Sequence, residues 1–164
     1  MKVFKRAVLL FVFLMVFWIM LTGWKEEEIV FAIGLSLLIT LIFTSKSSVF
    51  SEIKFTPKSI LYMFIYVFVF LSELVKSNFD VAARVANPKL PINPGIVKVK
   101  TKLKSKLGRI MLANSITLTP GTLTVETKGE YYYIHWIDVS AKNIQSATDE
   151  IVSKFEKYLE VIFG

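Results

Sequence analysis

Three charge-free, largely apolar stretches in the first 75 residues constrain the fold of this chain more than any other feature. They run from Ala7 to Thr22, from Ile29 to Thr44 and from Ile60 to Leu71, and short charged segments separate them. Hydrophobic residues make up 54% of the 164-residue chain, well above the usual content of a soluble globular domain. The sequence therefore predicts an integral membrane protein whose N-terminal half anchors a small, basic, water-exposed domain.

The first two stretches are predicted to form a membrane hairpin, with helices at about residues 5–24 and 28–45. The 16 residues from Ala7 to Thr22 span roughly 24 Å at ~1.5 Å per residue, a little less than a ~30 Å hydrocarbon core. Basic residues precede this stretch and tryptophans lie near its far end, as in many membrane helices. The short connection at 23–28 can join only antiparallel neighbours, and Gly34 and Ser36 would allow the two helices to approach closely.

A cleaved signal peptide is the alternative interpretation of the first stretch, because it also begins with basic residues before a short apolar core. No small-x-small cleavage site follows, however, and a second apolar stretch begins within a few residues. The membrane hairpin is therefore favoured.

The third stretch leaves two arrangements open. Its helix is predicted at about residues 58–86, but only the 12 residues Ile60–Leu71 are purely apolar, which is more typical of a buried or interfacial segment than of a full span. Glu73 is the one candidate intramembrane acid and should lie near an interface or a protein partner, with Lys76 one turn away to pair with it.

Charge distribution bears on the topology. Two spans and a tilted or partly embedded third helix satisfy the positive-inside rule, with the N-terminus and residues 45–58 in the cytoplasm and the acidic turn at 25–28 outside. Three spans is the simpler interpretation of hydropathy, but it places the N-terminus and the basic C-terminal region on opposite sides.

After residue 86 the composition changes, so residues 1–86 are predicted as the membrane region and residues 87–164 as a cytoplasmic domain. This second part holds 11 basic and 7 acidic residues and no long apolar run. Alternating and helical patterns predict a small two-layer α+β domain of order β-α-β-β-α. The predicted elements are a strand from Gly95 to Leu103, a helix from Ser105 to Ile116, strands from Thr122 to Glu126 and from Tyr131 to Val139, and a final helix from Ser140 whose apolar stripe is Ile144, Ile151, Phe155, Tyr158 and Ile162.

The residues indicate no enzyme chemistry, metal or cofactor. There is no cysteine and one histidine, and GxSxG, P-loop, HExxH and aspartate-cluster motifs are all missing from the sequence. His135 is interpreted as a surface or half-buried strand residue, and Asp138 as a cap of the following helix.

Five alternating lysines between positions 98 and 106 carry the strongest charge pattern of the chain. One interpretation is structural: the lysines protect an edge strand from aggregation. The other is functional: the lysines contact anionic lipid headgroups, and each charge contributes ~1 kcal/mol to membrane binding. Nucleic acid is not expected, since no aromatic residues are interleaved with these lysines. The candidate headgroup contacts are Lys98, Lys100, Lys102, Lys104 and Lys106.

One stretch is more specific than any of these patterns. Residues 111–126 read MLANSITLTPGTLTVE, and YYYIHWIDV follows at 131–139. The stretch resembles the signature of the E-type subunits of multisubunit cation/proton antiporters of the Mrp or Mnh class. The hydrophobic hairpin, the FLSELVKSNFDVA helix at 70–82 and the PGIVKV strand at 94–99 are similar too, so the resemblance covers almost the whole chain.

This resemblance implies an accessory, non-catalytic subunit of a complex that exchanges Na⁺ or K⁺ for protons in a prokaryotic plasma membrane. Its partners would be the other antiporter subunits and membrane lipids, and its C-terminal domain would be cytoplasmic. The signature is then interpreted as a structural or interface junction, in which short polar side chains satisfy backbone groups at a helix end and Pro-Gly redirects the chain. Its residues are Asn114, Ser115, Thr117, Thr119, Pro120, Gly121 and Thr122.

Two other hypotheses compete with this one. The alternative is a stand-alone, membrane-tethered module that binds anionic lipid or a protein through its basic domain. The other is an unrecognised membrane enzyme acting on lipids.

Overall fold

A computed structural model describes residues 2–44 and 52–164. The chain divides into two compact units, Met1–Ile53 and Lys54–Gly164. We expected a boundary after residue 86, and the structure instead assigns the third hydrophobic helix to the unit that holds the sheet. The predicted cytoplasmic segment 45–58 lies partly outside the described residues.

The first unit is a pair of helices, α1 (Lys2–Thr22) and α2 (Glu26–Phe43). Gly23 ends α1 with a positive φ of 79°, a conformation that glycine adopts without a steric penalty, and its N–H donates to the Ile19 carbonyl at 2.8 Å. At this end the indole of Trp18 donates to the Glu28 carboxylate at 3.3 Å and packs against Phe31. The short connection and these contacts make α1 and α2 antiparallel neighbours.

A stripe of small side chains on α2 is buried in the first unit. Ala32, Ser36, Thr40 and Thr44 recur every four residues, and each is less than 9% exposed. Ser36 therefore lies where the sequence suggested close helix contact. The expectation for Gly34 was wrong: it is exposed, and no atom lies within 4 Å of where a Cβ would be.

Within residues 2–44 and 52–164, two helices are long and apolar enough to cross a membrane, by length and composition: Val3–Thr22 of α1 and Pro57–Ala86, which is α3. Helix α2 carries three glutamates in its first turn, which leaves the 15 residues of Ile29–Phe43 as its apolar part. Helix α3 begins at Pro57, where the Thr56 hydroxyl accepts from the Ser59 N–H at 3.1 Å.

Three antiparallel strands follow α3: β1 (Gly95–Lys100), β2 (Thr122–Lys128) and β3 (Tyr131–Trp136), in the order β1–β3–β2. Val99 pairs with Tyr132, and Thr124 pairs with Ile134, with a bulge between Thr124 and Glu126. Tyr132, Ile134 and Trp136 face the core, so the intervening residues of β3 form the outer face of the sheet.

The helices α4 (Lys106–Leu118) and α5 (Ile144–Ile151) cover the inner face of the sheet, and α6 (Ser153–Phe163) packs against α3, α4 and α5. The predicted single final helix is two helices separated by Val152, which is itself fully buried. The predicted stripe changes accordingly. Ile151, Phe155 and Ile162 are buried and Tyr158 packs beside them, whereas Ile144 is exposed and Leu159 takes part instead.

The start of the final helices differs from the prediction. Asn143, rather than Ser140 or Asp138, caps α5: its side chain accepts from the Ser146 N–H at 2.9 Å, and the Ser146 hydroxyl accepts from the Asn143 N–H. Asp138 is too far from Ile144 along the chain to cap it, and its carboxylate accepts from Arg84 instead, at 2.7 Å.

The buried stripe on α2 gives a direct test of the hairpin. Ser36→Leu adds bulk to a packed position and should destabilise the pairing of α1 and α2 by ~1–3 kcal/mol. Amide hydrogen exchange of the full chain in detergent micelles should then become roughly tenfold faster in both helices. Gly34→Leu is the matched control, and its exposed position predicts no acceleration. Equal acceleration by both substitutions would contradict the observed helix face.

Candidate functional site

A groove of about 370 Å³ brings together two parts of the chain that the sequence singled out separately. Glu73 of α3 lies on one side, and the junction between α4 and β2 lies on the other. The remaining wall comes from α5 and α6. Its lining residues are Glu73, Lys76, Ser77, Asp80, Ile116, Thr119, Pro120, Thr122, Trp136, Glu150, Ile151, Lys154 and Phe155.

Glu73 forms an ion pair across this groove. The Lys154 Nζ donates to the Glu73 carboxylate at 2.9 Å. The Lys154 side chain is 33% exposed and the Glu73 side chain is 23% exposed. The expected partner was Lys76, which lines the same groove but is exposed. A half-exposed pair of this kind contributes ~1 kcal/mol or less to stability. Its main structural effect is to join α3 to α6.

Hydroxyl groups close the last turn of α4. The Thr119 hydroxyl donates to the Ser115 carbonyl at 2.7 Å, and the Thr122 hydroxyl donates to the Ile116 carbonyl at 2.6 Å. The Ser115 carbonyl also accepts the Thr119 N–H at 3.2 Å, whereas Pro120, four residues after Ile116, has no N–H to donate to the Ile116 carbonyl. Each hydroxyl thus supplies a donor where the helix stops.

Pro120 and Gly121 turn the chain from α4 into β2. Gly121 has a φ of 92°, and its carbonyl accepts from the Ile137 N–H at 2.9 Å. A Cβ at this position would lie 3.1 Å from a methyl group of Ile137, so a larger residue would meet both backbone strain and a close contact. The junction therefore needs glycine here.

Ser115 links the signature to α3. Its hydroxyl donates to the Met111 carbonyl at 2.7 Å and is hydrogen-bonded to the Tyr66 hydroxyl. Because the single Ser115 proton points to Met111, Tyr66 is the donor of the second bond. Both residues are buried, and Tyr66 belongs to the same core cluster as the sheet.

The other half of the signature faces outwards. Asn114 and Thr117 are exposed on α4, where the Thr117 hydroxyl accepts from the Thr124 N–H at 3.2 Å. Ile110 and Leu118 lie four residues before and after Asn114, on the same face of α4, and are 55% and 60% exposed.

Asn114 also lines a second groove, of about 390 Å³, between α4 and the β2–β3 hairpin. Tyr132 forms its floor and donates to the Arg109 carbonyl at 3.0 Å. A tyrosine hydroxyl is protonated at neutral pH, and burial raises the pKa of Tyr132 to about 12, so this bond persists into alkaline solution. The Arg109 guanidinium in turn donates to the Leu103 and Gly129 carbonyls.

The alternating lysines fall into two groups. Lys98 lies 3.9 Å from the Tyr131 ring centroid, and Lys100 pairs with Glu130 at 3.1 Å, a hydrogen bond that raises the pKa of Lys100. Their strand ends at Lys100, earlier than predicted. Lys102 and Lys104 follow it in irregular backbone, and Lys106 opens α4; these three lysines are exposed.

A buried carboxylate explains why the strand stops. Glu156 of α6 is 6% exposed and accepts from the Thr101 hydroxyl at 2.5 Å and from the Lys102 N–H at 2.7 Å. The Lys102 N–H, which could otherwise continue the hydrogen bonding of β1, is thereby bound to a side chain of α6. Sequence reasoning missed this bond, because its partners are 55 residues apart.

Arg84 is a second residue that the sequence did not identify. Its guanidinium donates to Asp80 at 2.8 Å, to Asp138 at 2.7 Å and to the Pro91 carbonyl at 2.7 Å. It therefore joins the end of α3 to the segment after β3. The signal that could have revealed these contacts is the spacing of three to four residues between most of the α3 side chains that meet the domain: Ser59, Tyr62, Tyr66, Phe70, Glu73 and Arg84.

His135 and the acidic side chains are the candidate catalytic or metal-binding groups among the described residues. His135 is exposed on the outer face of the sheet. Within residues 2–44 and 52–164, no three histidine, aspartate or glutamate side chains are grouped so as to hold a metal ion.

Comparison with known proteins identifies relatives along most of the chain. A family model described as "Na+/H+ ion antiporter subunit" (MNHE) matches residues 11–162. The E-type subunit of a Na+/H+ antiporter from Alkalihalophilus pseudofirmus is 47% identical over 76 residues, or 45% of this chain and 48% of that protein. An E1-type subunit of a Na+/H+ antiporter from Staphylococcus epidermidis is 37% identical over 95 residues, or 54% of this chain and 60% of that protein. The chain thus matches about half to three-fifths of the length of these relatives.

A solved structure matches over nearly the full length. It is that of a membrane-bound sulfane sulfur reductase, described as an archaeal respiratory membrane complex. One of its chains is 40% identical to this chain and superposes with a TM-score of 0.81, covering 96% of this chain and 99% of that one.

The hydrogen bond between Tyr66 and Ser115 predicts unequal effects of removing either partner. Ser115→Ala leaves the Tyr66 hydroxyl buried without its acceptor and should cost ~1–3 kcal/mol, whereas Tyr66→Phe should cost ~1 kcal/mol because Ser115 retains Met111. The double substitution should therefore cost less than the sum of the two single costs. Hydrogen exchange of the α4 amides in the full chain measures all three, and additive costs would contradict a direct bond between the two hydroxyls.

Proposed function

We propose that this chain, which belongs to the Na+/H+ ion antiporter subunit family, is a non-catalytic accessory subunit of a multisubunit monovalent cation/proton antiporter. The observation that carries this proposal is the family match over residues 11–162, which includes most of the hairpin, α3 and the sheet. As a component of a transporter, the chain would contribute to assembly or stability of the complex rather than to a chemical reaction.

The division of the signature into two halves supports an assembly role. Its buried half holds α4, β2 and α3 together, and its exposed half presents Asn114 among apolar side chains. Exposed apolar residues around one amide are typical of a protein interface, where apolar area is buried and a polar group sets the register. We assign this face of α4, defined by Ile110, Asn114 and Leu118, to contact with another subunit.

We also propose that the domain formed by residues 54–164 lies in the cytoplasm. The basic residues Lys5 and Arg6 precede the first apolar stretch, and Lys54 and Lys58 follow the second apolar stretch closely. Both features favour the cytoplasmic side under the positive-inside rule.

Co-purification tests the accessory role. The full chain, tagged in its native host and extracted in a mild detergent, should migrate as a large particle that contains several polytopic antiporter subunits identified by mass spectrometry. A monomer or homo-oligomer in every mild lipid and detergent would contradict the proposal.

Substitutions in the exposed half of the signature should weaken this particle. Asn114→Ala combined with Leu118→Ser removes two contacts and should lower the recovered partner subunits roughly tenfold, since ~1.4 kcal/mol is a tenfold change in affinity. Ile96→Ser is the matched control, because Ile96 is an exposed apolar residue on the edge strand β1, away from α4. Unchanged recovery with a folded domain would assign the signature a purely structural role.

A second candidate function is the corresponding subunit of a respiratory membrane complex. The chain of the sulfane sulfur reductase structure matches 96% of this chain, whereas the matched segments of the antiporter subunits described above cover 45% and 54% of it. Companions with redox cofactors in the purified particle would favour this candidate, and their absence would favour an antiporter.

A stand-alone lipid-binding module is the weaker alternative. Lys98 and Lys100 are occupied by Tyr131 and Glu130, which leaves Lys102, Lys104 and Lys106 as exposed candidate headgroup contacts. Tight binding of anionic vesicles by a chain that purifies without companions would support it.

A further inference from the structure

Helix α3 is covered by protein on one side along nearly its whole length. Near its start the Ser59 hydroxyl donates to the Val161 carbonyl at 3.0 Å, and near its end Arg84 bonds Asp138 at 2.7 Å. Phe70 and Phe155 pack between these points, with ring centroids 6.4 Å apart. Ser59 and Arg84 are roughly 37 Å apart along the helix at ~1.5 Å per residue. The sheet-bearing domain therefore lies beside α3 rather than beyond its end.

The opposite side of α3 carries a continuous apolar face. Its residues recur at intervals of three or four, the spacing of one helical face, and are between 47% and 74% exposed. Phe68 and Phe79 are the most exposed of them, at 72% and 74%. This outer face consists of Leu61, Phe64, Phe68, Leu71, Val75 and Phe79.

A full crossing of the membrane by α3 would carry the domain with it. Arg84, Asp138 and Lys154 contact or flank the helix, and a single such charge near the bilayer centre costs at least ~2.5–3.5 kcal/mol. The exposed edge strands β1 and β2 would also lack water for their backbone groups. By length and composition alone, α3 could span a membrane. These two criteria do not take into account that the domain covers one side of the helix.

We propose that α3 lies in the plane of the membrane surface, with its outer face in the boundary between headgroups and acyl chains and the domain on its aqueous side. Lys58 and Lys76 are exposed on the same flank of the helix and complement anionic headgroups there. Aromatic and aliphatic residues on one face, with basic residues at its border, are typical of helices that insert ~5–10 Å into a bilayer.

In this arrangement α3 is not a membrane span, although its length and composition are sufficient for one. The domain is then attached to the surface of the bilayer along the length of α3. The inference stands on the packing of residues 54–164 and does not depend on which complex the chain belongs to.

Depth measurements on single-cysteine variants test this placement, and the lack of native cysteine makes each label unique. Leu61→Cys, Phe68→Cys and Phe79→Cys carry a fluorophore in the full chain, reconstituted in vesicles of phosphatidylcholine and phosphatidylglycerol. Lipids with a nitroxide at the headgroup or deep in the acyl chain then quench each label. Ile96→Cys, on the outer face of the sheet, is the control and should be quenched by neither lipid.

Leu61 and Phe79 are roughly 27 Å apart along α3, so the two topologies give different results. For a helix in the membrane plane, we expect the same ratio of shallow to deep quenching at all three positions, with the shallow nitroxide more effective. A graded ratio, with Phe68 quenched best by the deep nitroxide, would show a span and overturn the proposal. Absence of quenching at all three positions would also overturn it, because the face would then be covered by protein.

Discussion

The packing of α3 against the sheet-bearing domain is the constraint on which the rest of this structure depends. The buried hydrogen bond from Tyr66 to Ser115 joins the most apolar part of α3 to the centre of the signature. The Glu73–Lys154 and Arg84–Asp138 ion pairs extend the same contact towards the C-terminal end of the helix. One helix therefore supplies both a wall of the domain core and an apolar outer face. Anything that displaces α3 would uncover Phe155 and the groove beside Thr119.

The signature residues divide between a buried side and an exposed side of α4. Ser115, Thr119 and Thr122 use their hydroxyls to bond carbonyls of α4, and Gly121 allows the turn into β2. These roles face inwards and are demanded by the fold. Asn114 and Leu118 lie on the opposite side of the same helix, where the fold does not need them. One short segment can thus hold the domain together and leave a face of α4 exposed for the subunit contact proposed above.

The regular elements could be predicted because their signals are local. The alternation of valines and lysines indicated β1, and the glycine between β2 and β3 indicated their hairpin. The errors arose where a distant partner decides the local outcome. Glu156 accepts the backbone N–H of Lys102 and ends β1, and Lys154 competes with Lys76 for Glu73 although it is 81 residues away in sequence. Gly34 was expected at a helix contact on the basis of size alone, but only the position of α1 determines that Ser36 faces inwards. Asp138 was a plausible cap by sequence proximity, and Arg84 binds it instead.

The central claim is that α3 belongs to the folded domain, and comparison of two fragments tests it most directly. Residues 54–164 retain Tyr66 and Phe70 in the core, whereas residues 87–164 lack both and lose contacts whose removal costs several kcal/mol, a large share of the ~5–15 kcal/mol that stabilises a domain. We expect residues 54–164 in detergent micelles to unfold cooperatively in urea with slow amide exchange in β3 and α6. We expect residues 87–164 to show neither property. Cooperative unfolding of residues 87–164 at the same urea midpoint would contradict the account and make α3 a separate membrane element.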